Sequence, residues 1–202
     1  MEYVEAGGAR IPALGLGTRR NTGPRCAQTV ETALELGYRH VDTAQAYDNE
    51  RQVGEGLAAA DVDREEVFLT TKLWRSNLRA DDVHPSVRQS LDRLGVGRID
   101  LLLIHWPHPR VPIDETVGAM DDLVDAGLVH HIGVSNFTAS QVGAAVEAAD
   151  HPIVTNQVLY HPYVDQSARL AACRDRGVSL SAYSPLARGG VLDDDVLTEI
   201  GE

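Results

Sequence analysis

Seven short apolar runs recur along this chain at nearly constant spacing, and that rhythm limits the fold more than any other feature. They are Leu14–Gly17, His40–Thr43, Val67–Thr71, Asp100–Ile104, His131–Val134, Ile153–Asn156 and Val178–Ala182, with starts about 27 residues apart on average. The runs are rich in β-formers and nearly continuously apolar, as a parallel sheet covered on its outer face requires. Between them lie amphipathic stretches that predict helices over Cys26–Leu36, Glu50–Ala60, Val83–Leu94, Thr116–Ala126, Ala139–Ala148 and Gln166–Arg176. Gly37, Gly95, Gly127 and Gly177 fall where such helices are expected to end. Val4–Pro12, with Gly7-Gly8 at its centre, predicts a small N-terminal hairpin.

A βαβα rhythm suits either an open doubly wound sheet or a (β/α)₈ barrel. The open sheet advertises its nucleotide site by a glycine-rich turn after the first strand. Here that turn is Gly15-Leu16-Gly17-Thr18, which lacks the third glycine and a nearby helix start, so the dinucleotide fingerprint fails. The expected fold is therefore an α/β barrel of the TIM (β/α)₈ type with an N-terminal β-hairpin. No linker-like stretch divides the chain, so residues 1–202 are expected to form one domain. An eighth strand would begin near residue 205, whereas residues 191–202 start a helix, with Asp193–Asp195 at its N-terminus. The barrel is accordingly read as incomplete, its last unit missing. It would leave open sheet edges and favour self-association there, unless the first and seventh strands pair to close a smaller barrel.

Charge and cysteine usage narrow the partners. Asp and Glu number 30 against 18 Lys and Arg, a net charge of −12, with no basic cluster. This argues against nucleic acid or an anionic membrane surface as partner. The most apolar stretch, Leu101–Ile104 with Trp106, is far too short for a membrane span. No apolar block follows the N-terminus, and the two cysteines, Cys26 and Cys173, are far apart in sequence. A cytoplasmic, reducing setting is expected, and neither a zinc module nor a disulfide scaffold. Arginine fills every basic position but one, Lys72; such an acidic, lysine-poor surface resembles proteins of salt-loving organisms.

In barrels the chemistry sits at the C-terminal ends of strands. Those ends here present Asp42, Lys72 and His105, and Tyr47 follows Asp42 by five residues in a loop whose Asp48 or Asn49 is a candidate helix cap. Neighbouring parallel strands are about 4.8 Å apart, so these side chains can converge. A tyrosine with its ordinary pKa near 10 is a poor proton donor at neutral pH. An adjacent ammonium stabilises the phenolate, a carboxylate keeps the ammonium oriented and charged, and a histidine can bond to the oxygen the phenol protonates. Lysine in an otherwise all-arginine set suggests a demand for a compact charge. His105, His108, His130, His131 and His161 show no metal-ligand spacing, so no metal is expected.

The strings VDTAQAYDNERQVG (Val41–Gly54), TTKLW (Thr70–Trp74), DLLLIHWP (Asp100–Pro107), IGVSNF (Ile132–Phe137), Asn156-Gln157 and AYSPL (Ala182–Leu186) resemble, in order, those of the aldo-keto reductase family. The resemblance runs along essentially the whole chain. It implies a (β/α)₈ barrel that reduces aldehydes and ketones with NADPH, NADH being the alternative, and that is monomeric when intact. It implies that Tyr47 is the general acid/base, tuned by Lys72 and Asp42, and that His105 orients the carbonyl. It assigns Ser135, Asn136 and Gln157 to the nicotinamide carboxamide, Tyr183 to stacking on its ring, Ser184 to Leu186 to the pyrophosphate, and Thr18 and Asp42 to the same cofactor site. Trp74 and Trp106 are expected in the substrate pocket wall. The family segment that holds the adenosine 2′-phosphate follows the eighth strand and has no counterpart in residues 1–202. The competing class is therefore a relative that binds cofactor or partners without turnover. Short loops at His108–Asp114 and Ala187–Leu192 suggest an open pocket for small aldehydes, ketones or dicarbonyls.

Overall fold

The computed structural model describes residues 1–201. An antiparallel hairpin, β1 (Tyr3–Ala6) and β2 (Ala9–Pro12), leads into seven strands: β3 (Leu16–Gly17), β4 (His40–Asp42), β5 (Phe68–Leu73), β6 (Ile99–Ile104), β7 (Val129–Ser135), β8 (Ile153–Leu159) and β9 (Ser179–Tyr183). Six helices alternate with them: α1 (Pro24–Glu35), α2 (Glu50–Ala59), α3 (Ala80–Leu94), α4 (Ile113–Asp125), α5 (Ala139–Ala148) and α6 (Ser167–Arg174). A short α7 (Asp195–Gly201) follows β9, beginning later than residue 191; the expected helix also reached Glu202, which lies outside the described residues.

All seven strands are parallel and lie in sequence order, β3 through β9. That order wraps the sheet continuously in one sense and rules out the doubly wound alternative, whose strand order reverses. The result is a nearly closed seven-stranded barrel whose β3 and β9 are the two edges. β3 and β9 are not hydrogen-bonded to one another, so the smaller closed barrel does not form.

Period-two alternation sorts the strand residues into two layers. Val41, Leu69, Leu73, Leu102, Ile104, Ile132 and Val134 face outward into the main core, where they meet Val30, Leu34, Val53 and Val87 of the helices. Leu101, Leu103 and Val154 face inward, and Ala9 and Ile11 of the hairpin pack on them. The hairpin thus plugs the N-terminal end of the barrel and leaves the C-terminal end for chemistry.

Several boundaries moved for local reasons. The first strand shrinks to Leu16–Gly17, and Leu14 is exposed. α3 starts at Ala80 despite Pro85, with Asp81 and Asp82 in its first turn, where carboxylates suit the helix dipole. Asn49 is the N-cap residue of α2 but makes no side-chain cap bond; its amide is used elsewhere, and Asp48 lies outside the helix with φ 54°. Among the described residues no helix is long and apolar enough to cross a membrane. Both cysteines are buried and unbridged.

Candidate active site

The site is assembled on inward-facing positions of adjacent strands. Asp42 ends β4 and Lys72 lies near the end of β5. Because β4 pairs with β5 in the register Asp42↔Thr70, the two side chains meet inside the barrel. Lys72 is completely buried; its Nζ contacts Asp42 Oδ1 and donates to Thr43 O at 2.8 Å. Asp42 Oδ2 accepts from Gln157 Nε2 of β8 at 2.8 Å, a bond that crosses the barrel. A buried ammonium requires such compensation, because an unpaired charge out of water costs several kcal/mol.

Tyr47 sits in a 3₁₀ turn, Gln45–Tyr47, directly after β4. Its ring lies 5.2 Å from Lys72 Nζ, so ammonium and phenol are neighbours as the spacing predicted. The turn is held by Gln45, a residue that sequence reasoning left unassigned. Gln45 Oε1 accepts from Trp74 N at 2.8 Å and Asn77 Nδ2 at 3.0 Å, while its Nε2 donates to Ser86 O and Ser90 Oγ of α3. Behind it, buried Glu50 accepts from Thr71 Oγ1 at 2.7 Å and pairs with Arg93 at 2.7 Å. Asn49, also buried, donates to Thr18 O and Asn21 O and accepts from Thr43. Apart from Thr43, six positions before Asn49, the partners of this second set are remote in sequence, so its sequence signal was a run of polar residues opening an amphipathic helix.

His105 follows β6, and its ring stands edge-on to Tyr47 at 5.6 Å and to Trp74 at 5.3 Å. Burial, reinforced by the Lys72 charge, pushes the imidazole from 6.5 down to about 4. The ring is therefore neutral at physiological pH. Its Nδ1 is buried with no hydrogen-bond partner among the described residues.

Across the cavity, β7 ends at Ser135, and the chain enters α5 through Asn136 (φ 63°), buried Phe137 and a capping box between Thr138 and Gln141. Asn156 latches this turn through both Phe137 N and Phe137 O. Ser135 Oγ donates to Gln157 O at 2.8 Å, and Asn136 Nδ2 donates to Ser135 Oγ and to His105 O. Tyr183 OH donates to Asn136 Oδ1 at 3.0 Å, and burial raises the pKa of this phenol. Past β9, Ser184, Ala187 and Arg188 all adopt left-handed backbone (φ 52°, 47° and 56°), unusual for residues other than glycine.

These groups surround a cavity of about 990 Å³ that runs the height of the barrel between β3 and β9. Asp42, Tyr47, Trp74, His105, Trp106, Ser135, Asn136, Gln157, Tyr183 and Ser184 all line it. Lys72 lies beneath the wall rather than in it. Two expected cofactor residues lie elsewhere: Thr18 is buried with its hydroxyl on Asp42 O, and Leu186 does not line the cavity and is 58% exposed. Arg19, unassigned from sequence, does line it.

A sequence profile described as the Aldo/keto reductase family matches residues 12–200. The methylglyoxal reductase DkgB of Salmonella typhi is 43% identical over 194 residues, covering 94% of this chain and 72% of the relative. A crystal structure of a protein provisionally named a 2,5-diketo-D-gluconic acid reductase B superimposes with TM-score 0.97 at 48% identity, covering 100% of this chain and 72% of that one. An aldo-keto reductase of Bombyx mori in complex with NADP superimposes with TM-score 0.88 at 37% identity, covering 100% and 74%.

Proposed function

Because the chain belongs to the aldo/keto reductase family, we propose that it reduces small aldehydes or ketones to alcohols by hydride transfer from NADPH, with NADH as the alternative donor. The observation that carries this reading is the convergence of Tyr47 and His105 on one cavity wall, with buried Lys72 5.2 Å from the phenol ring.

The residues present fit a nicotinamide. Gln157 Oε1 has no hydrogen bond among the described residues, and Asn136 Oδ1 holds only the Tyr183 hydroxyl, so acceptors remain for a primary carboxamide. Ser135, Asn136 and Gln157 would hold that group, with the Tyr183 ring beside it and the Ser184–Arg188 loop toward the phosphates. The cofactor, when bound, supplies the hydride.

The remaining work falls to the chain. Neutral His105 donates a hydrogen bond to the substrate carbonyl oxygen and orients it without adding a charge. Tyr47 gives its hydroxyl proton to that oxygen as negative charge develops there, and solvent later restores it. Lys72, paired with Asp42, supplies positive charge beside the phenol as it loses the proton, and Gln157 keeps Asp42 from swinging away. Trp74 and Trp106 form the apolar wall against which a small substrate rests, within reach of bulk solvent.

The test uses methylglyoxal, the substrate carried in the name of the Salmonella relative, with NADPH and with NADH. Tyr47→Phe is expected to lower kcat/KM by at least ~10²-fold, the scale for losing a positioned proton donor. Cofactor affinity from fluorescence titration should barely move, since the hydroxyl faces the substrate. Equal turnover by the two proteins rejects the assignment of Tyr47. Cofactor binding with no turnover in the parent protein would place the chain in the class that binds without reacting.

A further inference from the structure

The cavity wall carries a charge that the rest of the molecule does not lead one to expect. The chain as a whole has net charge −12. Yet among the described residues the only carboxylate lining the cavity is Asp42, and its charge is already met by Lys72. The lining imidazoles, His40 and His105, are both held neutral by burial. What remains is the guanidinium of Arg19, which has no ion pair or hydrogen bond among the described residues. Arg39, Arg64, Arg79, Arg93 and Arg98, by contrast, all pair with carboxylates.

The Arg19 side chain is exposed, but the backbone that carries it is held in place. Thr18, just before it, donates to Asp42 O through both its backbone N (2.9 Å) and its hydroxyl (3.1 Å), and Asn49 and Asn21 donate to Thr18 O. The backbone from which Arg19 projects is thus tied to the strand end that carries Asp42. Its charge registers at both His105 and Tyr183, so it stands over the region where reduction is proposed. A second guanidinium, Arg75, lies 5.3 Å from the Trp106 ring and likewise has no carboxylate partner among the described residues.

We infer that Arg19 receives the anionic end of the substrate, and that the site takes small carbonyl compounds bearing a carboxylate a few bonds from the reacting carbonyl. This rests on the reading of Tyr47 and His105 as the place of reduction and adds to it the substrate class. An arginine fork is suited to this task, because it binds a carboxylate through two parallel hydrogen bonds. Arg75, exposed like Arg19, adds to the field that draws an anion toward an otherwise acidic protein. The same anionic oxygen chemistry could come from a cofactor phosphate, and the experiment separates the two sources.

Both tryptophans of the chain line the cavity, so intrinsic fluorescence reports occupancy without turnover. Benzoate and benzamide are titrated into the parent protein, Arg19→Gln and Arg19→Lys, with circular dichroism confirming that each is folded. Benzoate is expected to bind at least ~10-fold tighter than benzamide in the parent. Arg19→Gln should erase that preference, and Arg19→Lys should keep part of it, having the charge without the fork. In turnover, the ratio of kcat/KM for succinic semialdehyde over butanal should fall ~10-fold in Arg19→Gln. The inference is overturned if benzoate binds no better than benzamide, or if Arg19→Gln leaves the preference intact. It is also overturned if NADPH affinity falls while benzoate affinity holds, which assigns Arg19 to the cofactor phosphates. A benzoate preference that depends on Arg19, in a protein that reduces neither aldehyde, would uphold the anion site and refute the reductase reading instead.

Discussion

His105 offers a measurement that tests the electrostatics of the site without any turnover. Its imidazole is driven down to about 4 chiefly by burial and next by Lys72. In the unfolded chain the same ring titrates near 6.5. Between those two values the unfolded state binds a proton that the folded state refuses, so stability must fall as pH drops. The contribution is whole above about pH 6.5, declines through the window, and is gone near pH 4. The interval from 6.5 to about 4, at 1.36 kcal/mol per pH unit, sets a ceiling of ~3.4 kcal/mol. The ring borders an open cavity, and solvent screening lowers the expected figure to ~2 kcal/mol. The perturbation is His105→Gln, which keeps a polar side chain and removes the titration. Urea unfolding of both proteins at pH 4.5, 5.5, 6.5 and 7.5 gives a difference profile in which the many carboxylates and His40 cancel. The parent should lose ~2 kcal/mol relative to the variant from pH 7.5 to 4.5, and the imidazole resonances of His105 should move only near pH 4. A flat difference profile, or an imidazole midpoint at or above 6, refutes the claim that the ring is neutral because it is buried beside Lys72.

Gly54→Ala should destabilise the fold by ~1–3 kcal/mol, because a Cβ there would lie 2.4 Å from Leu94 O and 2.7 Å from Leu94 C, rigid backbone of α3; a raised urea midpoint would show that the two helices can move apart. The unpaired edges of β3 and β9, flanking the cavity, should make the chain self-associate and bind a hydrophobic dye, more so as salt screens its −12 net charge. Light scattering that finds a dye-negative monomer from low to high salt would remove that expectation.

The barrel's strands were legible because their runs are rich in β-formers and nearly continuously apolar, and its helices because each shows one apolar stripe; both patterns survive in the residues themselves. So did the placing of Asp42, Tyr47, Lys72 and His105, since consecutive parallel strands bring their ends together whatever the details of packing. The family motifs added roles, and most of the residues they named do line one cavity. Tertiary structure alone decided what those side chains touch. Gln157 reaches across the barrel to Asp42, Thr18 turns its hydroxyl to Asp42 O, and Leu186 is exposed outside the cavity lining. Gln45, Glu50 and Asn49 form a supporting network whose side-chain partners lie on other elements. Arg19 was one arginine among seventeen until the fold placed it on the cavity wall, with no carboxylate partner among the described residues. Periodicity is a property of neighbours along the chain, whereas a hydrogen bond between residues 42 and 157 depends on how seven strands curl, and only the curled sheet contains that.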